Sequence, residues 1–506
     1  MSAGRQPSSI VVLGGGTAGW MAANLLQHHW GPLGTKVALI ESSDIGIIGV
    51  GEGSTPQLKH FFDTLGIGEA EWMPRCNATY KTGIEFVGWS QRAGFERYFH
   101  PFPTAVDGFT APQFFYNTRA RRTGRDVWAH PDRFFLLTAL AHQRRAPLAP
   151  PNFPFATSYG YHFDAHLVGA YLREVATRRG VEHVDARIAS VELDPQGGVA
   201  ALVAEDGRRF AAELFVDASG FRAMIIEGAL KQSHRAFAEN LFNDRAVVTP
   251  TPLPARGPGV CTRATAKSAG WIWHIPLTSR VGNGYVYSSR YIDDEAAAAE
   301  LRQHLGLSPD AEVRHLRMRV GRVERSWVRN CLAIGLAQGF LEPLEATALH
   351  VVLATVEGFI KTVAAAGQTD EARQAFNEDI GRRYEGIRDY IVCHYRTAQR
   401  RDTDYWRDAA GHDHLSDSLK GIITAWFTGA DLEREVAEQD IARYYTAMSW
   451  HCMLAGYGNF PDDSRIRPPG DDIEQFDLAE IDRFITGCAM NFPPHEKALG
   501  LLRVAA

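Results

Sequence analysis

An α/β fold of Rossmann type, joined to a mainly helical module, is predicted by three observations. The first fifty residues read as strand, glycine turn, helix and strand. Short apolar runs of β-branched type then recur as far as Gly335. From about Glu371 the pattern is mainly helical, with aromatic anchors and no second glycine fingerprint. Strands that alternate with helices build a parallel sheet, and a helical tail is suited to cap a binding cleft. The expected modules are 1–90 with 156–370 for the discontinuous α/β part, and 91–155 with 371–506 for the helical part. Residues 91–155, rich in aromatics, Pro and Arg, read as an irregular insertion.

Each element has its own signal. Ser9-Ile10-Val11-Val12-Leu13 is a short buried-strand run, and Trp20 to Leu26 has helical character after the turn Gly14-Gly15-Gly16-Thr17-Ala18-Gly19. A second strand, Lys36-Val37-Ala38-Leu39-Ile40, ends at Glu41. Strand, Gly-x-Gly-x-x-Gly, helix and a terminal acid together form a dinucleotide-binding fingerprint. Gly14 permits the tight turn, Gly16 lets backbone N–H groups approach a pyrophosphate, and Gly19 permits close helix packing. The helix N-terminus favours the anion, and Glu41 would take ribose hydroxyls. Residues 199–210 read as a hairpin turning at Asp206-Gly207. Residues 214–220, 284–289 and 331–335 read as further strands.

Composition narrows the function classes. Over 506 residues, 53 Lys and Arg face 59 Asp and Glu, so the net charge of −6 lacks the basic footprint of a nucleic-acid binder. No run of 18 apolar residues suggests a membrane span, and the polar N-terminus predicts no signal peptide. The six cysteines contain no Cys-x-x-Cys pair, so they predict neither a metal site nor a disulfide framework. Free thiols fit a cytoplasmic protein.

Four segments could carry chemistry. In 80–89, alternation of Ile84, Phe86 and Gly88 predicts one strand with Lys81 at its start. In 270–277, Trp271, Trp273 and Ile275 alternate on one strand face and make a bulky wall that ends at Pro276. In 339–350, Pro343 and two glutamates read as the first turn of an apolar helix, with Glu345 near N–H groups of Thr347 and Ala348 suited to a small anion. Residues 98–103 read as an aromatic loop stiffened by Pro101 and Pro103, with His100 and Phe102 placed to sandwich a planar substrate. Each segment alone also has an ordinary packing explanation.

Taken together they are more specific. Gly14-x-Gly16-Thr17-Ala18-Gly19-Trp20, Tyr80-Lys81-x-x-Ile84-x-Phe86-x-x-Trp89, Trp271-x-Trp273-x-Ile275-Pro276, Gly284-Tyr285-Val286-Tyr287-Ser288-Ser289 and Phe340-x-Glu342-Pro343-Leu344-Glu345 occur in the order found in flavin-dependent tryptophan halogenases. The chain resembles that family from residue 14 to about 350. The Trp-x-Trp-x-Ile-Pro segment separates it from flavin monooxygenases, which share the glycine fingerprint. The resemblance implies an FAD module of flavin monooxygenase type and a helical substrate module. It implies a secondary-metabolism oxidoreductase in which FADH2, O2 and a halide ion (chloride or bromide) give hypohalous acid. That acid would travel to Lys81, which would hold it or form a haloamine beside the substrate. Glu345 would assist, and the halide would meet Thr347 and Ala348. FAD would be held by Gly14, Gly16, Thr17, Ala18, Gly19, Glu41, Gly53, Leu336 and Leu349. The substrate would meet His100, Phe102, Trp271, Trp273, Tyr444 and Trp450. Reduced flavin would come from a separate NAD(P)H-dependent flavin reductase, and relatives are often homodimers. No nucleic acid, membrane or metal enters this scheme.

Two departures from the family pattern stand out. Tryptophan-acting members read Glu-Ser-Thr-Gly where this chain reads Glu345-Ala346-Thr347-Ala348. If the glycine is needed for positive φ, halide preference would move toward bromide or iodide. The tyrosine pair Tyr444-Tyr445 is present, but His451 falls where the ammonium-binding glutamate is expected. The expected substrate is therefore an indole or another electron-rich aromatic, not free tryptophan. The alternatives are a monooxygenase that hydroxylates an aromatic, a halogenase acting on a carrier-tethered or larger substrate, and a flavin-binding protein without turnover.

Overall fold

The computed structural model describes residues 6–44, 51–470 and 477–505, so the first five residues of the polar N-terminus lie outside it. These residues form two compact units. One draws on 1–77, 163–238 and 318–385, the other on 78–162, 239–317 and 386–506.

The first unit is built on a six-stranded sheet. Its order is Trp327–Val328, Cys331–Ala333, Leu214–Asp217, Ser9–Leu13, Lys36–Glu41 and Glu182–Asp185. All neighbours are parallel except the first pair. Ile10, Val11, Val12 and Leu13 are all buried, as expected of a central parallel strand covered on both faces. The helix Thr17–Trp30 packs against the helices Ala165–Arg178 and Ala348–Ala366. Ala348–Ala366 is long and apolar enough to cross a membrane by composition alone, a feature that counting strictly apolar runs passes over. It packs on Thr17–Trp30 and Gln57–Thr64 and buries Val352, Val356, Phe359 and Val363, as a core helix does. A three-stranded antiparallel sheet contains the predicted hairpin, Val199–Ala204 with Arg209–Phe210.

The second unit is built on a seven-stranded sheet. Its order is Arg314–Arg317, Arg245–Thr251, Val281–Tyr287, Gly270–Pro276, Thr262–Lys267, Gly83–Val87 and Arg97–Pro101. Neighbours are antiparallel except Gly83–Val87 and Thr262–Lys267. The tryptophan strand differs from expectation, because both of its faces are buried. Ile272 packs with Tyr285, Tyr287 and the Ala297, Ala298 and Leu301 face of the helix Asp294–Leu305. Trp271 and Trp273 occupy the other face, with ring centroids 6.2 Å apart. Gly284 lies opposite Trp273, and a Cβ there would come within 2.1 Å of the indole, so the glycine makes room for the ring.

Residues 91–155 are more regular than the composition predicts. Tyr98 to Pro101 are not loop but part of the sheet's edge strand, followed by the helices Ala111–Arg122 and Leu136–His142. Pro101 is tolerated because it ends an edge strand, where a missing N–H breaks no ladder. The C-terminal part is helical as expected, with Asp417–Thr428, Ala447–Gly456, Leu478–Ala489 and His495–Ala505 among its elements.

Candidate active site

The three fingerprint glycines face different constraints. Gly14 has φ +118°, and a Cβ there would lie 2.2 Å from the Ala218 carbonyl oxygen. A Cβ on Gly19 would lie 1.9 Å from the Gly14 carbonyl oxygen. Both are fixed by packing inside the fold. Gly16 is extended, and a Cβ on it would meet nothing within 4 Å. Its backbone opens onto free space at the start of a 14-residue helix. The first N–H groups of that helix, at Thr17, Ala18 and Gly19, have no intrahelical acceptor. An open backbone cradle with orphan donors fits a pyrophosphate. Gly15, unremarked in the sequence, is also constrained: its Cβ would fall 1.6 Å from the Glu41 carboxylate.

Glu41 ends its strand as predicted. Its Oε1 lies 2.9 Å from His183 Nε2 and 3.6 Å from an Arg173 guanidinium nitrogen. Both partners line a cavity of about 530 Å³ with Arg75, Tyr171 and Arg178. Gly335, at φ +59°, brings the turn Gly335–Ala337 onto Ala18, which sets Leu336 beside the fingerprint. Leu349 sits in the helix that packs on Thr17–Trp30. Gly53 lies in the short strand Glu52–Gly53. Burial and the Asp164 carboxylate push the neighbouring Glu52 up to about 7.

Asp217 is a residue that sequence reasoning missed. It ends the central strand Leu214–Asp217 and is fully buried. Its carboxylate accepts hydrogen bonds from Ser219 N (3.1 Å), Ser219 Oγ (2.6 Å), Ile225 N (2.8 Å) and Ile226 N (2.8 Å). It thereby shapes the turn whose Ala218 carbonyl faces Gly14. Asp217→Asn would turn an amide donor toward N–H donors. It is expected to destabilise the apo-protein by about 3 kcal/mol and to weaken FAD binding, read from thermal melts and flavin titration of one preparation.

The acidic segment also departs from prediction. Pro343 does not begin the helix. Pro343–Glu345 form a separate 3-10 turn, Ala346 takes a left-handed conformation at φ +54°, and the helix starts at Ala348. Glu342 and Glu345 are buried within this turn. The backbone alternates right-handed, left-handed and right-handed over Glu345, Ala346 and Thr347, which is the nest geometry that gathers N–H groups around an anion. The left-handed strain falls on Ala346, where family members carry serine. Ala348 is helical, so the concern about positive φ at that position does not apply.

Lys81 lies in the second unit, and its surroundings correct the single-strand reading. Thr79–Lys81 and Gly83–Val87 are two strands in different sheets. The break falls at Thr82, whose N–H and hydroxyl both donate to the Val260 carbonyl, at 2.8 and 3.0 Å. Lys81 is fully buried, with its Nζ 5.4 Å from the Phe102 ring centroid. Phe102 is held in turn by its N–H, which donates to the Thr82 carbonyl at 3.0 Å. Tyr80 N donates to His495 Nε2 at 3.4 Å, while His495 Nδ1 lies 3.2 Å from the Pro258 carbonyl oxygen. Burial holds His495 neutral, at about 4.

The sequence matches the family described as tryptophan halogenase over residues 9–468. It is 37% identical over 451 residues to the tryptophan 6-halogenase SttH of Streptomyces toxytricini, covering 83% of this chain and 84% of that one. The chain belongs to the tryptophan halogenase family. It is also 34% identical to the tryptophan 7-halogenase RebH of Lentzea aerocolonigenes, over 90% of each chain. The solved structure of BrvH, a flavin-dependent halogenase from Brevundimonas sp. BAL3, aligns with a TM-score of 0.84 and 32% identity, covering 98% of this chain and 99% of that one. The protein is thus a flavin-dependent halogenase that uses FADH2, O2 and a halide ion.

In this halogenase two of the expected substrate residues, His100 and Trp450, gather around Tyr390, whereas Trp271 and Trp273 pair with each other and Phe102 lies beside Lys81. Tyr390 stacks on Tyr445 with centroids 3.5 Å apart, meets Trp450 edge-on at 4.7 Å, and lies 6.3 Å from His100. Tyr444 packs on Gly386, where a Cβ would come within 2.5 Å of its ring. Tyr390 was not singled out in the sequence. His451, at the expected glutamate position, is buried, with Nδ1 2.9 Å from Thr118 Oγ1 and Nε2 3.3 Å from Glu433. It stacks on Phe115 at 4.5 Å and meets Trp426 edge-on. The His451 ring holds Glu433 down at about 2, while burial pushes His451 itself down.

Proposed function

We propose that this enzyme halogenates indole or a similar small electron-rich aromatic that lacks an amino-acid backbone. The observation that carries this reading is His451. Its imidazole stands where tryptophan-acting members carry a carboxylate and is held by Thr118 and Phe115, while the neighbouring Glu433 carboxylate is engaged by His451 and Arg119. A site without that partner discriminates against a charged amine because the ammonium would be desolvated unpaired.

The remaining roles follow from chemistry. Gly14, Gly16, Thr17, Ala18, Gly19, Glu41, Gly53, Leu336 and Leu349 would hold FAD, which with O2 supplies the oxidation of halide to hypohalous acid. The nest at Glu345 to Thr347 and the N–H of Ala348 would hold the halide. Lys81 would take the halogen from hypohalous acid, its amine forming the nitrogen–halogen bond as water leaves. Desolvation is the usual way a lysine amine becomes a nucleophile. Phe102, His100, Tyr444, Trp450, Trp271 and Trp273 would shape the ring's surroundings. Glu345 would stabilise the cationic ring intermediate and accept its proton. A separate NAD(P)H-dependent reductase would supply the reduced flavin.

The test is mass spectrometry of products from enzyme, FAD, a flavin reductase, NADH and bromide with indole and L-tryptophan in parallel. A monobrominated isotope doublet on indole, formed at least about ten-fold more efficiently than on tryptophan, is expected. Efficient bromination of tryptophan would overturn the substrate assignment. An oxygenated product without bromine would indicate hydroxylation instead, and no small-molecule product would point to a larger or tethered substrate.

A further inference from the structure

The histidine His162 appears in none of the motifs above, yet it lies at the centre of a buried hydrogen-bond chain two residues from Lys81. Thr79 and His162 are a directly opposed pair between Thr79–Lys81 and Gly160–Phe163. Both are completely buried. Thr79 Oγ1 donates to the Pro276 carbonyl at 2.7 Å and lies 3.0 Å from His162 Nδ1. His162 Nε2 lies 3.1 Å from Thr262 Oγ1.

The proton positions follow by elimination. A hydroxyl has one proton, and that of Thr79 is committed to a carbonyl that can only accept. Thr79 must therefore accept from His162 Nδ1–H. His162 Nε2 is then bare in the neutral ring and accepts the Thr262 hydroxyl. The chain Thr262, His162, Thr79, Pro276 is satisfied throughout with a neutral imidazole. Burial first, and Lys81, His495 and His274 after it, keep the ring from taking a second proton.

Residues two apart on a strand project to the same face. Thr79 and Lys81 therefore share a face, and a clamp on Thr79 fixes the position from which the lysine projects. The clamp ends on Pro276, the last residue of the Trp-x-Trp-x-Ile-Pro strand. We infer that Thr79 and His162 are positioning residues for Lys81, tying its strand to the end of the tryptophan strand so that the halogen is presented to one ring carbon. The inference rests on the role proposed for Lys81.

The decisive comparison is Thr79→Val against Thr79→Ser. Valine keeps the shape and loses the hydroxyl, whereas serine keeps the hydroxyl and loses a methyl group. Brominated indole per flavin oxidised, the distribution of bromine over ring positions, FAD affinity and melting temperature are measured for each. The expected result is an about ten-fold loss of coupling and a broader distribution for valine, with serine within about two-fold of wild type. Packing alone would give the reverse order, so serine falling below valine would overturn the inference, as would a valine variant equal to wild type. If Thr79→Val does not fold, His162→Asn, which retains a donor toward Thr79, is compared with His162→Leu, and asparagine is expected to stay ahead. Wild type and Lys81→Met are run alongside. A Lys81→Met variant that brominates normally overturns the lysine role and this inference together. If both controls behave as expected and the valine variant equals wild type, the clamp alone falls.

Discussion

Replacing Lys81 is expected to abolish halogenation, by at least about 10³-fold or roughly 4 kcal/mol of barrier, while FAD binding and flavin oxidation continue. Lys81 is fully buried beside Phe102 in the second unit, whereas the glycine fingerprint and Glu41 belong to the first unit. The substitution therefore changes no residue expected to hold the cofactor. Lys81→Met is the better variant than Lys81→Ala, because it fills most of the volume and limits the cavity cost. The measurement pairs product mass spectrometry with a scavenger for released hypohalous acid. Loss of brominated indole with an equal gain of trapped oxidant is the expected pattern. A Lys81→Met variant that brominates indole like wild type would remove the lysine from the mechanism.

Much of this site was legible because its chemistry constrains residue type locally. Gly14 and Gly19 cannot carry a side chain where Ala218 and Gly14 carbonyls press against them, so the spacing announces the turn. Trp271 and Trp273 declared a strand by alternation, although nothing local told that Ile272 would be buried on the other face. Boundaries failed where a tertiary partner decided them. Thr82 leaves the ladder because Val260 offers it a carbonyl from far along the chain. Pro343 reads as a helix start, but Ala346 interposes a left-handed residue that an alanine seldom adopts. Residues 98–101 read as loop because two prolines looked disruptive, but Pro103 lies beyond the strand and Pro101 is compatible with it because it ends an edge strand. Asp217, His162 and Thr79 were silent for a further reason. Their partners lie 2–9 residues away for Asp217 and 83 and 197 residues away for Thr79, and ordinary residue types at ordinary positions carry no pattern. His451 shows the converse, since its departure from the family pattern was visible in sequence but its engagement with Thr118 and Glu433 was not.

The fingerprint glycines separate cofactor binding from folding within a single motif. Gly16→Val is expected to weaken FAD binding by at least about 100-fold, or roughly 3 kcal/mol, while the apo-protein melts within about 2 °C of wild type. Its backbone is already extended, φ −70° and ψ 173°, so a β-branched residue adopts it without strain. Its Cβ meets nothing within 4 Å, so the folded chain has room for the new side chain. What the valine occupies is the space in front of the N–H groups of Thr17 to Gly19, where a pyrophosphate would approach. Gly19→Val should behave in the opposite way. Its Cβ would lie 1.9 Å from the Gly14 carbonyl oxygen, a backbone atom of the central turn that cannot move aside. That variant is expected to lose folded protein before any question of flavin arises. Flavin titration and thermal melting of the two purified variants distinguish the cases. A Gly16→Val protein that binds FAD as tightly as wild type would show that the pyrophosphate does not lie against this turn, and the cofactor assignment of the whole fingerprint would have to be redrawn around the cavity at Arg173 and His183.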